Sequence, residues 1–227
     1  MARSLPLDGS SDPAVSSRGP VRYGGAVLAE GIEDKQPDLW NRATRHPFLR
    51  EVGQGRAKFF GVWLAQDALF VADLIVFQSR LVARAPRSSQ AVIAEGVVGL
   101  IAELDWFDQQ ADVLGVSLTV EPMKATCAYR AFLHELDTEA YPRAMVALWL
   151  LERVYLEAWR YAGSCGSAGP HAAAVAHWTD PAFVRYVTAL EDRASAAAQE
   201  LNGDVQDIGR AVLACEVDFW DMAQDPA

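Results

Sequence analysis

The sequence predicts one all-α domain, a single-domain helical bundle of about eight helices. From Pro37 onward, apolar residues recur with the spacing of helix faces, and no segment alternates polar and apolar residues as a half-buried strand does. The 227 residues, 51% of them hydrophobic, suffice for one sizeable core. No repeat of fixed period divides the chain, so we expect the helices to pack around a single core.

Residues 1–36 differ in composition from the rest of the chain. Pro6, Pro13 and Pro20 lie among several glycines and serines, and the apolar residues show little periodicity. Such a composition is typical of an extended segment rather than a packed element. The predicted organisation is therefore an extended N-terminal arm over 1–36, followed by the all-α domain over 37–227.

Turn residues mark the ends of the helices within the domain. The pair His46–Pro47 interrupts a short first helix, because proline cannot continue a helix and restricts the residue before it. Later breaks contain proline, glycine and small polar residues, which favour turns. Helices are expected over about 56–84, 88–114, 123–136 and 141–162, with two more after the loop at 164–170.

The charge balance and the cysteine content limit the partners and the compartment. A formal net charge of −10 argues against nucleic acid or an anionic membrane surface as the main partner. No uninterrupted apolar run reaches the roughly 18 residues of a membrane span, and no secretory signal is recognisable. Cys127, Cys165 and Cys215 form no Cys-x-x-Cys pair and no zinc-type spacing. We expect a cytoplasmic protein without nucleic-acid or membrane partners.

Acidic residues recur inside the predicted helices, where burying a carboxylate is costly unless it is paired or used. They are Asp67, Asp73, Glu95, Glu103, Glu152 and Glu216. Asp67 and Glu152 stand out because their neighbours are strongly apolar. Glu216 precedes Phe219 and Trp220 by three and four positions, so this carboxyl shares a helix face with two large rings. Aromatic surroundings desolvate a carboxyl and raise its pKa, which suits proton transfer near neutral pH.

Four motifs, taken together with their order and spacing, point to a known family. They are His-Pro-Phe at 46–48, Phe-Gly-Val-Trp-Leu-Ala-Gln-Asp at 60–67, Ala-Leu-Trp-Leu-Leu-Glu-Arg-Val-Tyr at 147–155, and Glu-Val-Asp-Phe-Trp-Asp-Met at 216–222. The chain resembles the TenA / thiaminase II family over about residues 40–223. This resemblance implies a haem-oxygenase-like all-α fold and a homo-oligomer, either dimer or tetramer. It also implies a small-molecule pyrimidine substrate related to thiamin, hydrolysed to hydroxymethylpyrimidine.

The resemblance implies roles for individual residues. Asp67 matches the family aspartate that hydrogen-bonds the aminopyrimidine, and Glu216 matches the family's acid/base glutamate. An aromatic set surrounds the flat ring and excludes water. It comprises Tyr129, Tyr155 and Phe219, which match ring-contacting or wall residues, together with Phe70 and Trp178, which fall at or near family tyrosines.

One position departs from the cysteine-containing members of the family. Their nucleophilic cysteine lies four residues before the tyrosine matched by Tyr155, and here that position is Leu151, followed by Glu152. The string Leu-Glu-Arg-Val-Tyr resembles the E-type branch, which lacks this cysteine and is associated with hydrolysis of aminomethyl- and formylaminomethyl-pyrimidine. We therefore expect an aminopyrimidine aminohydrolase of thiamin salvage. In it Glu152 activates water and Glu216 protonates the leaving nitrogen.

No metal and no cofactor are expected. Helical di-iron sites are built from Glu-x-x-His pairs. The four histidines, at positions 46, 134, 171 and 177, do not form such pairs with helical acids.

Two other functions remain open on the same residues. One is a non-catalytic binder of a flat heterocycle, and the other is a specialised-metabolism enzyme with a different substrate on the same scaffold. Convergence of Asp67, Glu152 and Glu216 on one cavity, with unsatisfied carboxylates, would favour an enzyme. A cavity closed off by side chains would favour a structural or binding role.

Overall fold

The computed structural model describes residues 25–166, 169–201 and 205–226, and these residues fold into ten α-helices with no strand among them. The all-α prediction is confirmed, although the described residues contain ten helices rather than about eight. The helices are α1 Gly25–Lys35, α2 Pro37–Thr44, α3 Pro47–Gly53, α4 Phe60–Arg84, α5 Arg87–Leu114, α6 Lys124–Thr138, α7 Tyr141–Cys165, α8 Ala172–Trp178, α9 Pro181–Glu200 and α10 Gln206–Gln224.

The first helix corrects the prediction of an extended arm through residue 36. Residues 25–35 form α1, which packs against α2, α9 and α10. Leu28 and Ile32, four positions apart, are buried and give the helix its apolar face. Just after α1, the Gln36 amide donates to the backbone oxygen of Gln206 at 2.8 Å. Residues 1–24 of the predicted arm lie outside the described part of the chain.

The predicted turn residues do define helix boundaries. Pro47 and Pro181 occupy the first turns of α3 and α9, where the missing N–H costs nothing. His46 caps α3, because the Phe48 N–H donates to its Nδ1 at 3.2 Å. Asp180 caps α9 by accepting from a backbone N–H in the first turn. Prolines and capping residues at these positions begin new helices, which is why the helix boundaries lie where the sequence predicted.

Helix α7 lies at the centre of the bundle. Every residue from 144 to 152 is buried, and Glu152 is the one charged side chain among them. A helix that is apolar on all faces must be enclosed by others, and α7 packs against α3, α9 and α10 among its neighbours. Large rings fill the surrounding core, including Trp159, which stacks on Trp178 with ring centroids 4.5 Å apart. The centre of the molecule is therefore largely aromatic and aliphatic, and it contains one carboxyl of α7.

Helix α4 is long and apolar enough to cross a membrane by length and composition alone. Gln66 and Asp67 interrupt its apolar run, so the helix contains no uninterrupted span of that length. Within the structure, 61% of the apolar window is buried inside the bundle. A core helix of a helical bundle passes the same test, so its apolarity is accounted for by the packing around it.

Candidate active site

Four helices bring carboxyl groups together near the middle of the bundle. Asp67 of α4, Glu152 of α7 and Glu216 of α10 are 2%, 5% and 3% exposed, respectively. Asp67 and Glu152 line one inner cavity, and the sequence analysis predicted that both belong to the site. The fourth carboxyl is that of Glu103 on α5, which lines the same cavity.

Each of these carboxyl groups accepts a hydrogen bond from a neutral donor rather than forming an ion pair with a cation. The Tyr155 hydroxyl donates to Asp67 Oδ2 at 2.6 Å, and the Tyr129 hydroxyl donates to Glu216 Oε1 at 2.6 Å. Two further bonds complete the set. Gln78 Nε2 donates to Glu152 Oε1 at 3.3 Å, and Trp178 Nε1 donates to Glu103 Oε1 at 3.0 Å.

The pKa values of the three predicted acids are raised into the neutral range. Desolvation is the largest cause in each case, and it raises the pKa of Asp67 to about 7 and those of Glu152 and Glu216 to about 8. The bonds from Tyr155, Gln78 and Tyr129 lower these pKa values, but they offset only part of the desolvation. For Glu216, the neighbouring charges of Asp67 and Glu152 act in the same direction as burial.

Glu103 keeps some accessible surface because it lines the cavity, but its carboxyl is nonetheless strongly desolvated. Its pKa is raised well above the ordinary value by desolvation first and then by the charges of Asp67 and Glu152. At neutral pH most of these four carboxyl groups are therefore protonated, and the set as a whole carries little negative charge. Groups that titrate near the working pH can both donate and accept protons, which is the requirement for general acid–base chemistry.

The cavity has an inner and an outer part. The inner part has a volume of about 20 Å³, enough for a water molecule, and is lined in part by Asp67, Glu103 and Glu152. The outer part measures about 280 Å³, and its wall includes Tyr186. Both parts are lined by Glu103, Glu152 and other shared residues, so they adjoin, and only the inner part is lined by Asp67.

The predicted aromatic set divides into two groups. Phe70, Tyr155 and Trp178 line the inner cavity, as a wall for a flat ring requires. Tyr129 and Phe219 do not line it. They pack behind Phe70, with ring centroids 4.4 and 6.0 Å from the Phe70 ring.

Glu216 also lies behind this wall, because it is bonded to Tyr129 and does not line either part of the cavity. The interaction of its charge with Asp67 and Glu152 shows that it belongs to the same buried acid group. The three predicted carboxyls are thus neighbours, but only Asp67 and Glu152 have direct access to the cavity.

The position that the resemblance to the TenA / thiaminase II family matches to a nucleophilic cysteine lies on the cavity wall. Leu151 is buried there, beside Glu152. None of the three cysteines replaces it in the cavity lining, although all three lie in the described part of the chain. Burial raises the pKa of Cys215 to about 12, so this thiol, next to Glu216 in sequence, stays protonated.

Three of the histidines make packing or capping contacts, and one of them, His177, also lines the outer part of the cavity. His171 stacks on Phe60 with ring centroids 4.1 Å apart, and His177 stacks on Trp106 at 4.6 Å. His46 Nε2 contacts Asp221 Oδ1 at 3.0 Å in addition to capping α3. Within residues 25–166, 169–201 and 205–226, no group of three or more metal-ligating side chains is arranged to hold an ion.

Three residues of the site were not predicted as such from the sequence: Glu103, Gln78 and Tyr186. The sequence offered an indication for Glu103, which is an acid within an apolar helix, but Glu103 does not belong to the four motifs of the resemblance. It offered no indication for Gln78 and Tyr186, because these residues lie on separate helices and only their contact in the fold connects them to the site.

Comparison with known proteins agrees with the all-α fold. Residues 33–225 match the profile of the TENA/THI-4/PQQC family. Over 203 residues the chain is 32% identical to the soybean (Glycine max) "Probable bifunctional TENA-E protein", covering 82% of this chain and 88% of that one. It is also 25% identical over 181 residues to a "Probable transcription factor" of Fusarium pseudograminearum, covering 71% of this chain and 35% of that protein.

Among solved structures, a TenA homologue from Pyrococcus furiosus superposes with a TM-score of 0.81 at 26% identity, covering 86% of this chain and 99% of that one. The fold, the motif order and the profile match point to one conclusion. The chain belongs to the TENA/THI-4/PQQC family.

Proposed function

We propose that this protein hydrolyses aminomethyl- or formylaminomethyl-pyrimidine to hydroxymethylpyrimidine, in thiamin salvage. One observation carries the proposal. Asp67 and Glu152, two carboxyls with pKa values near neutrality, line an aromatic-walled cavity in which leucine occupies the position of the family's nucleophilic cysteine. The similarity to a soybean protein named TENA-E supports the same branch of the family.

Asp67 is proposed to bind the pyrimidine. Its carboxyl, held by the Tyr155 hydroxyl, accepts a hydrogen bond from the exocyclic 4-amino group. Phe70, Tyr155 and Trp178 enclose the flat ring and exclude bulk water. A fixed ring orientation places the reacting carbon against the other carboxyls, which lowers the entropic part of the barrier.

Glu152 is proposed to activate water, because it is the second of the three predicted acids with direct access to the cavity. With a pKa of about 8, a minor fraction of Glu152 is ionised at neutral pH, and in this form it takes a proton from water as the water oxygen bonds to the exocyclic methylene carbon. The carbon–nitrogen bond breaks with its electron pair on nitrogen, and a protonated carboxyl supplies the proton that releases ammonia. With the formyl substrate, the activated water first attacks the formyl carbon and releases formate.

Glu216 is proposed to supply that proton, from behind the Phe70 wall. Its raised pKa keeps it protonated at neutral pH, as a proton donor must be. Phe70 packs on the ring of Tyr129, the partner of Glu216, so a shift of the Phe70 side chain is the movement that brings this acid to the substrate.

A competing function is a non-catalytic binder of a flat heterocycle. The observation that favours it is the outer part of the cavity, whose volume of about 280 Å³ has room for a flat ring outside the water-sized inner part that Asp67 lines. DNA binding, suggested by the name of the Fusarium relative, has no such support. That relative is matched over 35% of its length, and the net charge of −10 opposes a nucleic-acid partner.

The test is incubation of the purified protein with aminomethyl-pyrimidine, its N-formyl derivative and thiamin, with products identified by mass spectrometry. We expect hydroxymethylpyrimidine from the first two substrates and no cleavage of thiamin. Glu152→Gln and Glu216→Gln should each lose about 100-fold or more in kcat, the usual contribution of one acid–base group. Glu30→Gln, on an exposed position of α1, is the control and should keep full activity.

The outcomes separate the two functions. Saturable binding of the pyrimidines without any product, by a folded wild-type protein, would refute the hydrolase and establish the binder.

We further propose that the protein acts in the cytoplasm as a homo-oligomer, dimer or tetramer. Val98 and Ile101, exposed apolar residues three positions apart on α5, support such an association.

A further inference from the structure

We propose that Gln78 and Tyr186 are positioning residues for Glu152, and that the chain Tyr186–Gln78–Glu152, which packs over Gly96, determines which carboxyl oxygen of Glu152 acts in the cavity. We refer to these three side chains as the Glu152 relay. The inference rests on the proposed function, because it assumes that Glu152 acts on water or substrate.

The relay is a line of two hydrogen bonds that joins three helices. The Tyr186 hydroxyl of α9 donates to Gln78 Oε1 at 3.2 Å. The Gln78 amide of α4 then donates through Nε2 to Glu152 Oε1 of α7 at 3.3 Å. Gln78 has no exposed surface, so bulk water does not reach its amide to replace either partner.

The order of donors gives the relay a direction. An amide has one acceptor atom and two N–H donors, so binding of Tyr186 to the oxygen turns the nitrogen toward Glu152. Glu152 Oε1 therefore accepts a hydrogen bond. When Glu152 is neutral, its proton resides on Oε2, and this oxygen remains for the cavity that Glu152 lines.

Gly96 of α5 makes room for this arrangement. A Cβ atom at position 96 would overlap the Tyr186 hydroxyl and would lie 2.5 Å from Gln78 Oε1, closer than real contacts allow. Glycine within a helix weakens that helix relative to alanine. Here its absence of a side chain lets α5 pass directly against the Tyr186–Gln78 hydrogen bond.

In its ionised form, the Glu152 carboxylate is stabilised mainly by the relay, because the other groups that interact with its charge are acids or hydroxyls. Glu103 of α5 and Glu216 of α10 interact with it as like charges or as neutral acids, and Asp67 of α4 lines the inner cavity beside it. The hydroxyls of Tyr129 and Tyr186 also interact with its charge, and Glu95 of α5 and His177 of α8 line the outer part of the cavity with it. The bond from Gln78 lowers the pKa of Glu152 and so favours the ionised form that activates water.

The decisive experiment compares variants that break the relay in different ways. Tyr186→Phe removes the hydroxyl alone, and Gln78→Met removes the amide at nearly constant volume. Gly96→Ala changes none of the three relay side chains chemically but displaces two of them. Gly31→Ala is the control, because a Cβ there meets no atom within 4 Å. Folding of each variant is checked by circular dichroism and Tm.

We expect Tyr186→Phe to lower kcat by about 3- to 10-fold, as for the loss of one hydrogen bond, with little change in KM. The limb of the pH–kcat profile that reports ionisation of Glu152 should move to higher pH. The double variant Gln78→Met/Tyr186→Phe should be no slower than Gln78→Met alone, because Tyr186 acts through Gln78. Gly96→Ala should show the same shift of the pH limb, and Gly31→Ala should show none.

Additive effects of Gln78→Met and Tyr186→Phe, or a pH limb that stays in place in both, would overturn the inference. A purely structural role would lower Tm without moving that limb. The titration of the Glu152 carboxyl is also followed by carbon-13 NMR, with Glu152→Gln used for assignment. This second readout tests the relay even if the wild type hydrolyses neither pyrimidine, an outcome that would refute only the proposed hydrolysis.

Discussion

Replacement of Glu216 by glutamine should stabilise the protein at neutral pH while it lowers kcat by about 100-fold or more. The introduced glutamine has nearly the same shape and retains an oxygen that can accept from the Tyr129 hydroxyl, which in the wild type lies 2.6 Å from Glu216 Oε1. The substitution removes the ionisable group and leaves the packing in place. The change in stability therefore reports the free energy that the fold loses by burying this acid.

The magnitude can be derived from the two pKa values of Glu216. Its ordinary pKa is 4.5, and burial raises the pKa in the folded protein to about 8. Between these pH values the unfolded chain has lost a proton that the folded protein keeps, so the free energy of unfolding falls as pH rises, by about 1.4 kcal/mol per pH unit. At pH 7 the accumulated loss is about 3 kcal/mol, an upper figure because water penetration reduces it.

The assay is urea unfolding of wild type and Glu216→Gln at pH 5, 6, 7 and 8, monitored by circular dichroism. The difference in unfolding free energy should grow in favour of the variant from pH 5 to pH 8 and then level off. Glu30→Gln, at an exposed position, should differ from wild type by a constant amount. A flat difference for Glu216→Gln would show that the Glu216 carboxyl is ionised in the folded protein, and the reasoning about a buried proton donor would fail.

Three further predictions concern the cavity, the core and the surface. Leu151→Cys places a thiol on the cavity wall, where burial and the surrounding acids raise the pKa of that thiol. We therefore expect thiamin cleavage to appear only at alkaline pH. Cleavage that is fastest at pH 6 would contradict this. Gly53→Ala drives a Cβ into the carbonyl of Ala162, so the free energy of unfolding measured in urea should fall by at least about 2 kcal/mol. An unchanged unfolding midpoint would refute the close approach of α3 and α7. Val98→Asp with Ile101→Asp should reduce the mass measured by light scattering if α5 forms the oligomer contact, and an unchanged mass would exclude that face.

Much of the fold and the identity of the main acids were predictable from local patterns. The helices are indicated by apolar spacing and by prolines at first turns, both of which are read along the chain. Asp67 and Glu152 were singled out because each lies within an apolar run, and a helix in such a run has no face to turn toward water. The structure places both on the wall of one cavity.

The parts that were not predictable depend on contacts between distant residues. Gln78 and Tyr186 are 108 positions apart, and no local pattern marks either of them. The exclusion of Glu216 from the cavity wall depends on the position of the Phe70 ring, which is set by packing between α4, α6 and α10. Helix α1 was missed because a run that contains Gly25 and Gly31 has low intrinsic helix propensity, and its helical form depends on docking against α9 and α10.

The site is built into the core rather than on loops, and this has a consequence for how substrate enters. Trp178 both stacks on Trp159 in the core and donates to Glu103 in the cavity, so one indole serves the packing and the site. Dense packing of this kind holds the helices rigidly, which keeps water out and the pKa values raised. An inner cavity of about 20 Å³ must nevertheless enlarge to admit a pyrimidine. We therefore expect entry to require rotation of wall side chains such as Phe70, with the helices fixed. A complex in which α4 and α7 had moved apart would contradict this expectation.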